Sequence, residues 1–427
     1  MNPESSKVQR TYLTLVLLNT LAASLIWGIN TIFLLDAGLS NLEAFAANAF
    51  FTVGMVLFEI PTGIVADLKG RRASFMLGTV TLAVSTLLYV WLWQAGAPFW
   101  AWAIVSAFLG LGFTFFSGAT EAWLVDALHA TKYKGKLEAV FAKGQIVGGI
   151  ATFGGAVGGG ILAQATNLGV PYLLRGIILV VSFFVAFTLM RDMGFTPVTG
   201  KRPLRVVKDI LDNSIKHGLG NPPVRWVMLT GPFVAGVSIY GFYALQPYLL
   251  ELWGDEKAYA LAGVTAAILA AAQVAGGLLA PYFGRVFQRR TTILFTGTLL
   301  SAGIIALMGL IPHFWPVVVL VVLWGLLFAA TTPVRQAYIN SLILANQRAT
   351  VLSFDSLLSS AGGVVVQPIL GRAADVWSYP ASYVLGGAIH MLALPFAWKA
   401  RRSATTTKAA QDADTISPDE NAAKPDN

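Results

Sequence analysis

The sequence predicts an all-α membrane protein whose twelve transmembrane helices form two pseudo-symmetric six-helix bundles. Three observations predict this class. The composition is strongly apolar, twelve apolar stretches have membrane-spanning length, and lysine and arginine residues collect in alternate loops. A polar segment after the sixth stretch divides the chain into two halves of similar length.

The composition excludes an ordinary water-soluble domain. The chain has 427 residues, of which 56% are hydrophobic and 12% charged, whereas soluble domains average about 25% charged residues. A helix needs about 20 apolar residues to cross a bilayer, so twelve spans use nearly the whole chain before its polar tail. The chain also lacks cysteine, which excludes disulfides, thiolate metal sites and cysteine nucleophiles.

The twelve apolar stretches are predicted to be helices. Open sheet edges cannot cross lipid, because their backbone groups would lack hydrogen-bond partners there. The stretches also lack the alternation over about 10 residues that marks an outer-membrane strand. The predicted spans are residues 11–34, 44–66, 73–94, 99–125, 139–163, 171–190, 226–250, 258–281, 291–311, 316–340, 351–370 and 381–398.

The basic residues set the orientation of these spans, because cytoplasmic loops are enriched in lysine and arginine. With the N-terminus inside, 24 of the 29 basic residues fall on the inner side. Only Lys257 and Arg372 fall on the outer side. The sequence therefore predicts a multi-pass protein of the cell membrane with both termini in the cytoplasm.

The predicted domains follow from this count. Residues 1–190 form an N-terminal bundle and residues 226–400 a C-terminal bundle. Between them, residues 191–225 form a cytoplasmic linker whose apolar and basic residues alternate as in an amphipathic helix on the inner leaflet, with an ordinary charged linker as the alternative. Residues 401–427 have no apolar face and are predicted to be disordered.

The two halves carry traces of an internal duplication. The segment GIVADLKGR, residues 63–71, matches GLLAPYFGR, residues 277–285, at four of nine positions. Two six-helix halves related by an axis along the membrane normal are typical of transporters that bind their substrate where the repeats meet.

The segment FEIPTGIVADLKGRR, residues 58–72, resembles a family signature. It is similar to the sequence G-x-x-x-D-(R/K)-x-G-R-R between the second and third helices of the major facilitator superfamily, and we expect the drug-efflux-like branch. Span count, loop lengths and the repeat extend the resemblance over the whole chain. The resemblance implies two bundles around a central cavity that opens to one side of the membrane at a time.

The matching residues are the predicted conformational latch. They are Gly63, Asp67, Gly70, Arg71 and Arg72. Glycine at position 70 suits a tight turn, and glycine at position 63 would let helices approach closely. Asp67 would accept backbone N–H groups at a helix N-terminus of the other half and so hold the cytoplasmic side closed. The alternative is that these charges only anchor the orientation.

Two departures from family patterns leave antiport unestablished. Ser106 stands where proton-coupled antiporters of the superfamily often carry an arginine in the fourth helix. The glycine-rich run at residues 148–160 resembles the antiporter motif of the fifth helix but lacks its proline. Close helix packing through small residues explains this run equally well.

Ionisable residues within the spans are the candidates for proton coupling, because a charge at a helix centre costs about 2.5 to 3.5 kcal/mol. These candidates are Glu59, Glu121, Asp126 and Asp355. A carboxylate shielded from bulk water binds a proton more readily, as a proton carrier requires. The alternative is that ion pairs, Glu121 with Lys143 or Asp355 with Arg335, fix the packing of the helices.

The resemblance also implies that helices 1, 4, 7 and 10 line the substrate cavity. The candidate substrate residues are Asn19, Trp27, Asn30, Trp123, Tyr240, Tyr243, Gln246, Arg335, Gln336 and Asn340. Aromatic rings with few hydrogen-bonding groups favour an amphipathic or cationic organic ligand over a sugar, whose hydroxyls each need a polar partner. Interfacial belts of tyrosine and tryptophan are the alternative for the aromatic residues.

The sequence therefore predicts a secondary active transporter that exports hydrophobic or amphipathic small molecules by alternating access, in exchange for protons. A proton symporter that imports a small metabolite is the alternative, and a non-transporting receptor or channel is a remote one. We find no nucleophile with its base, no metal-ligand spacing and no phosphate-binding loop. We therefore expect no enzyme, metal or cofactor. The expected partners are substrate, protons and lipid but no nucleic acid, and the expected state is a monomer.

Overall fold

The computed structural model describes residues 3–197, 218–343, 347–405 and 408–416. Over these residues the secondary structure consists of seventeen α-helices and one isolated β-bridge. The centre of the predicted linker helix, residues 198–217, lies outside the described residues. An all-helical class is therefore confirmed.

The chain forms two compact units, Met1–Arg205 with Gly254–Ala267 and Val206–Trp253 with Ile268–Asn427. Eight helices of the first unit are described: α1 (Pro3–Trp27), α2 (Asn30–Asp36), α3 (Asn41–Lys69), α4 (Arg71–Ala95), α5 (Phe99–Thr114), α6 (Ala119–Ala130), α7 (Leu137–Ala165) and α8 (Gly169–Leu189).

The second unit contains the remaining described helices, except that the first turns of α11 belong to the first unit. These helices are α9 (Pro222–Met228), α10 (Gly231–Trp253), α11 (Tyr259–Val286), α12 (Arg290–Leu310), α13 (Phe314–Leu342), α14 (Arg348–Val376), α15 (Tyr379–Met391), α16 (Leu394–Ser403) and α17 (Lys408–Asp414).

Eleven helical segments of the described chain are long and apolar enough to cross a membrane. Three of these segments combine two helices, namely α5 with α6, α9 with α10, and α15 with α16. The predicted span 351–370 lies in α14, which is not one of the eleven and which contains Asp355, Gln367 and four serines. The helices support a multi-pass membrane protein.

The two units use the same helix pairs. In the first unit α1 packs on α7, α3 on α5 and α4 on α8. In the second unit α10 packs on α14 and α12 on α15, and α11 meets α13 where a Cβ at Gly276 would overlap the carbonyl of Leu326. Each half thus pairs its first helix with its fifth, its second with its fourth and its third with its sixth, as a duplication predicts.

Glycine at the crossing points lets the helix backbones touch. A Cβ atom at Gly54 would overlap the Ala107 carbonyl on α5, and one at Gly159 would overlap the Leu25 carbonyl on α1. Small residues drive such contacts in lipid, where the hydrophobic effect does not press helices together. Because Gly159 belongs to the run at residues 148–160, its contact supports the packing interpretation of that run.

The described part of the C-terminal tail is helical and docked. On α17, Ala413 and Asp414 are buried, and the Asp414 carboxylate accepts the backbone N–H of Thr291 at 2.7 Å. Arg290 donates from Nη1 to the Ala413 carbonyl at 2.7 Å. The prediction of a disordered tail over residues 401–427 therefore needs correction for residues 401–403, which end α16, and for residues 408–416. The tail docks because Asp414 accepts a hydrogen bond from a free N–H group in the first turn of α12. Hydropathy does not reveal such a contact.

Replacing Asp414 by alanine should release α17 from the start of α12. Loss of a side-chain acceptor at a helix start costs about 0.5 to 2 kcal/mol, so amide hydrogen exchange over residues 408–416 should accelerate about 2- to 30-fold. Asp412→Ala is the matched control, because Asp412 is exposed on the same helix. Equal acceleration in both variants would contradict the capping role of Asp414.

Candidate functional site

The fourth predicted span, residues 99–125, is interrupted in the structure. Helix α5 ends at Thr114 and α6 begins at Ala119, and Gly118 between them adopts a φ of 66°. Glycine adopts this left-handed conformation without steric cost. The prediction of one continuous helix is wrong here, and it is also wrong for the predicted spans 11–34, 226–250 and 381–398, each of which is divided between two helices. In membrane transporters, irregular backbone of this kind is tolerated where it lines a cavity or binds an ion.

Two of the predicted coupling residues flank this break. Glu121 lies in the first turn of α6 and is exposed, at the helix end whose free N–H groups favour a negative charge. Glu59 on α3 is also exposed and accepts a hydrogen bond from the Ser117 hydroxyl in the break at 2.7 Å. Asp126 is half-buried farther along α6.

The two alternative ion pairs have different outcomes. Glu121 and Lys143 are both exposed, and no ion pair joins them in the described part of the chain. Arg335 and Asp355 do form a pair, in which Nη1 and Nη2 of the guanidinium each lie 2.6 Å from a carboxylate oxygen. Such a two-point pair is among the stronger polar contacts in proteins. The packing alternative is therefore observed for Asp355 and is not observed for Glu121.

The turn between α3 and α4 has the geometry that its glycine predicts. Gly70 adopts a φ of 96°, and a Cβ there would overlap the carboxylate of Asp192. The same carboxylate accepts the backbone N–H of Arg72 at 2.9 Å. Asp192 follows the last helix of the first unit, and the sequence analysis did not single it out. The sequence did offer a signal for Asp192, because this acidic residue directly follows the sixth predicted span on the same side of the membrane as the basic turn.

The remaining residues of the predicted latch make contacts within the first unit. Asp67 near the end of α3 forms an ion pair of 2.9 Å with Arg71, the first residue of α4. Arg72 donates to the Phe187 carbonyl at 2.5 Å and lies over the Phe187 ring. No atom lies within 4 Å of a Cβ placed at Gly63, so the described structure does not show the predicted close helix approach there.

Several predicted substrate residues of the first unit already have protein partners. The Ser182 hydroxyl donates to the Asn19 side chain at 3.0 Å, and Asn30 bonds both Asn48 and Tyr172 at 3.0 Å. Trp123 is buried and donates to the Arg191 carbonyl at 2.7 Å. These contacts favour packing roles for the three residues, whereas Trp27 is exposed.

The predicted substrate residues of the second unit differ in how far they are buried. Tyr240 is buried, and its hydroxyl shares a hydrogen bond of 2.5 Å with Ser382, which favours a packing role. Gln246 is buried as well. Tyr243 is half-buried, and its ring meets that of Phe242 edge to face. On α13, Gln336 is exposed and Asn340 is half-buried.

A cavity of about 260 Å³ lies inside the second unit beside the Arg335–Asp355 pair. We name it the His390 cavity. Helices α9, α10, α12, α13, α14, α15 and α16 all contribute lining residues. Arg335 forms part of its wall, together with apolar groups such as Val234, Leu294 and Phe328. Of the residues that line this cavity, the sequence analysis singled out only Arg335.

Comparison with known proteins decides the family. The model of the Major Facilitator Superfamily matches residues 12–296 and 233–421. The chain belongs to the major facilitator superfamily. This membership supports a transporter over an enzyme, in agreement with the apolar helices.

A curated relative from the superfamily has a similar sequence. It is an uncharacterized MFS-type transporter of Methanocaldococcus jannaschii, 21% identical over 258 residues. The match covers 60% of this chain and 62% of the relative, so the chain spans less than two thirds of that protein's length.

Solved transporter structures share the fold. A mutant of the nucleoside transporter NupG has a TM-score of 0.76 at 12% identity, over 92% of this chain and 99% of that chain. A bacterial homolog of the human lysosomal transporter Spinster, inward-facing and unoccupied, has a TM-score of 0.72 at 15% identity, over 98% and 100%. A mutant of the peptide transporter POT in complex with sulfate has a TM-score of 0.71 at 14% identity, over 96% of each chain.

Breaking the Arg335–Asp355 pair from one side should destabilise the protein more than removing both charges. The Asp355 side chain is 9% exposed, so Asp355→Leu alone leaves a guanidinium without its counter-charge, at a cost of about 3 to 5 kcal/mol. The double variant Arg335→Met with Asp355→Leu should recover most of the loss. Thermal unfolding of the purified protein measures both, and an equal loss in the two variants would mean that the unpaired guanidinium is not what destabilises Asp355→Leu.

Proposed function

We propose that the protein is a secondary active transporter that works by alternating access and couples the export of amphipathic small molecules to protons. The observation that carries this proposal is the break between α5 and α6. Exposed Glu121 stands at the start of α6, and Glu59 is hydrogen-bonded to the break through Ser117.

The structure does not shield Glu121 from solvent, so the break would serve the deprotonated form of a proton carrier. A carboxylate near a half-helix start has backbone N–H groups to stabilise its charged form, as in other broken transporter helices. Because Glu121 has no ion-pair partner in the described part of the chain, it can lose and gain a proton without leaving a cation uncompensated. Asp355 lacks this freedom, since it neutralises Arg335. Glu121 is therefore the first candidate for the coupling residue, ahead of Glu59 and Asp126.

An amphipathic substrate and the drug-efflux-like branch rest on the composition of the spans. Aromatic and aliphatic side chains outnumber hydrogen-bonding ones there, and each hydroxyl of a sugar would require a partner of its own. The candidates that stay accessible to a substrate are Trp27, Tyr243, Gln336 and Asn340, none of which is buried.

Import of a small metabolite is the second candidate function. A nucleoside transporter and a peptide transporter, both of similar fold, support this candidate. At identities of 12% and 14% the likeness to these two transporters concerns the fold.

We further propose that the protein is a monomer of the cell membrane with both termini in the cytoplasm, as its basic residues indicate. The latch is proposed to work through Asp67 and the turn at Gly70. In the structure the Asp67 carboxylate pairs with Arg71, so opening and closing would exchange this partner for backbone N–H groups.

Glu121→Gln should abolish transport driven by a pH gradient and spare passive exchange, because glutamine cannot carry a proton. Ethidium serves as the amphipathic cation and uridine as the metabolite, in proteoliposomes that contain a pH-sensitive dye. Movement of ethidium opposite to the proton flux supports export in exchange for protons. Movement of uridine in the same direction as the proton flux supports the import alternative. If the transport rates of both probes do not change when the proton gradient is collapsed, proton coupling is excluded.

The matched control is Glu138→Gln, since Glu138 also lies exposed in the first turn of a helix, α7, but away from the break. This control should transport like the unmodified protein. Gradient-driven transport that survives in Glu121→Gln, or fails equally in both variants, would remove Glu121 from the carrier role.

Asp67→Asn should shift the protein toward its inward-open state, because the neutral amide holds helix N–H groups less strongly than a carboxylate. The chain has no cysteine, so single cysteines introduced near each end of the spans report accessibility without background. Cytoplasmic positions should label several-fold faster in the variant. Unchanged labelling on both faces would rule out the latch.

A further inference from the structure

The His390 cavity contains four polar side chains that have no hydrogen-bond partner among the described protein groups. They are Ser238, Thr291, Trp324 and His390, and each of them lines the cavity. All four are at least nine-tenths buried, with exposures of 9%, 1%, 5% and 1%. Both ring nitrogens of His390 lack a partner in this part of the chain.

Such groups are costly unless something binds them. A buried donor or acceptor without a partner loses about 1 to 3 kcal/mol, and native proteins keep few of them. Other hydroxyls on the same wall show the usual solution: Thr298 donates to the Leu294 carbonyl and Thr332 to the Phe328 carbonyl, each at 2.8 Å. The four unpartnered groups therefore converge on a shared space, which points to a bound molecule.

The wall is electrically neutral. Among the described residues that line the cavity, Arg335 is the only charged one, and both of its terminal nitrogens bond Asp355. A charged ligand would lose its hydration without gaining a free counter-charge, which is strongly unfavourable. Eight of the lining residues are serines or threonines, but the surface of the wall is mainly apolar. The cavity therefore suits an uncharged and largely apolar molecule.

The size and the polar groups narrow the class further. A dry cavity of about 150 Å³ accepts benzene, so about 260 Å³ accommodates two fused rings with a small substituent. The Trp324 indole N–H only donates, which requires an acceptor on the ligand. The uncharged His390 ring offers one donor and one acceptor, and the two hydroxyls can do either.

We propose that the His390 cavity is a binding site, within the second unit alone, for an uncharged two-ring molecule that carries both a hydrogen-bond donor and an acceptor. The proposal concerns binding and does not depend on proton coupling or on the direction of transport. If the binding proposal fails, the proposed transport function is unaffected. If transport is not observed, the binding proposal is unaffected.

The test is saturation binding of radiolabelled indole-3-methanol to the full-length protein in lipid nanodiscs. Indole-3-methanol has two fused rings, an N–H and a hydroxyl. It should bind saturably, with one site per chain. Unlabelled 1-methylnaphthalene, which lacks polar groups, and indole-3-carboxylate, which is charged, should each compete at least about tenfold less well. Absence of saturable binding, or equal competition by all three compounds, would overturn the proposal and leave water as the partner of these groups.

A pair of threonines on α12 locates the site. Thr291→Val removes an unpartnered hydroxyl, whereas Thr298→Val removes one that is already bonded to its own helix. Thr291→Val should weaken probe binding about three- to tenfold, the value of one hydrogen bond, and Thr298→Val should not. Trp324→Phe should weaken it similarly. Equal affinities in all three variants would place the probe elsewhere and refute the assignment.

Stability without the probe provides an independent reading. The Thr291 hydroxyl has no hydrogen-bond partner among the described protein groups. Its loss should therefore leave the thermal midpoint of the protein without probe unchanged or raised. A role in packing alone predicts a lower midpoint with unchanged probe affinity. This outcome would contradict the proposal even if the Trp324 variant did not fold.

Discussion

Polar groups buried in the apolar interior of the spans need partners within the protein, and this need explains several contacts among the described residues. The guanidinium of Arg335 is satisfied by Asp355 through two hydrogen bonds of 2.6 Å. Hydroxyls on the helices donate back to their own carbonyls, as Thr331 does to Leu327. Where neither solution is used, as at His390, the exception marks a candidate binding site, because an unpaired polar group in an apolar interior is costly.

The same requirement is met in parallel ways at the starts of α4 and α12. Asp192 accepts the N–H of Arg72 at 2.9 Å, and Asp414 accepts the N–H of Thr291 at 2.7 Å. Arg72 and Thr291 are each the second residue of their helix, and each helix is the third of its six-helix half. In both units an aspartate that follows the sixth membrane-spanning segment of the half thus caps the third helix. The duplication that the sequence hints at extends to this capping contact.

The two units differ where function is expected. The first unit breaks its fourth helix at Gly118 and leaves Glu121 exposed, whereas the equivalent helix of the second unit, α13, continues through Pro333 and carries a paired Arg335. The fourth helix of the first half therefore has an exposed carboxylate at a helix start, and the fourth helix of the second half has its arginine in an ion pair. This asymmetry is the physical basis for assigning coupling to the first unit and the proposed neutral ligand to the second.

The sequence alone determined the all-helical class, the two halves, the turn at Gly70 and the Arg335–Asp355 pair as one of two alternatives. These follow from local properties, namely hydropathy over about 20 residues, the freedom of glycine and the cost of a charge in lipid. It did not determine the break near Gly118, the docked α17, the interior position of Tyr240 or the His390 cavity. Each of these depends on which groups residues distant in sequence bring within hydrogen-bond distance, and only the packed helices decide that.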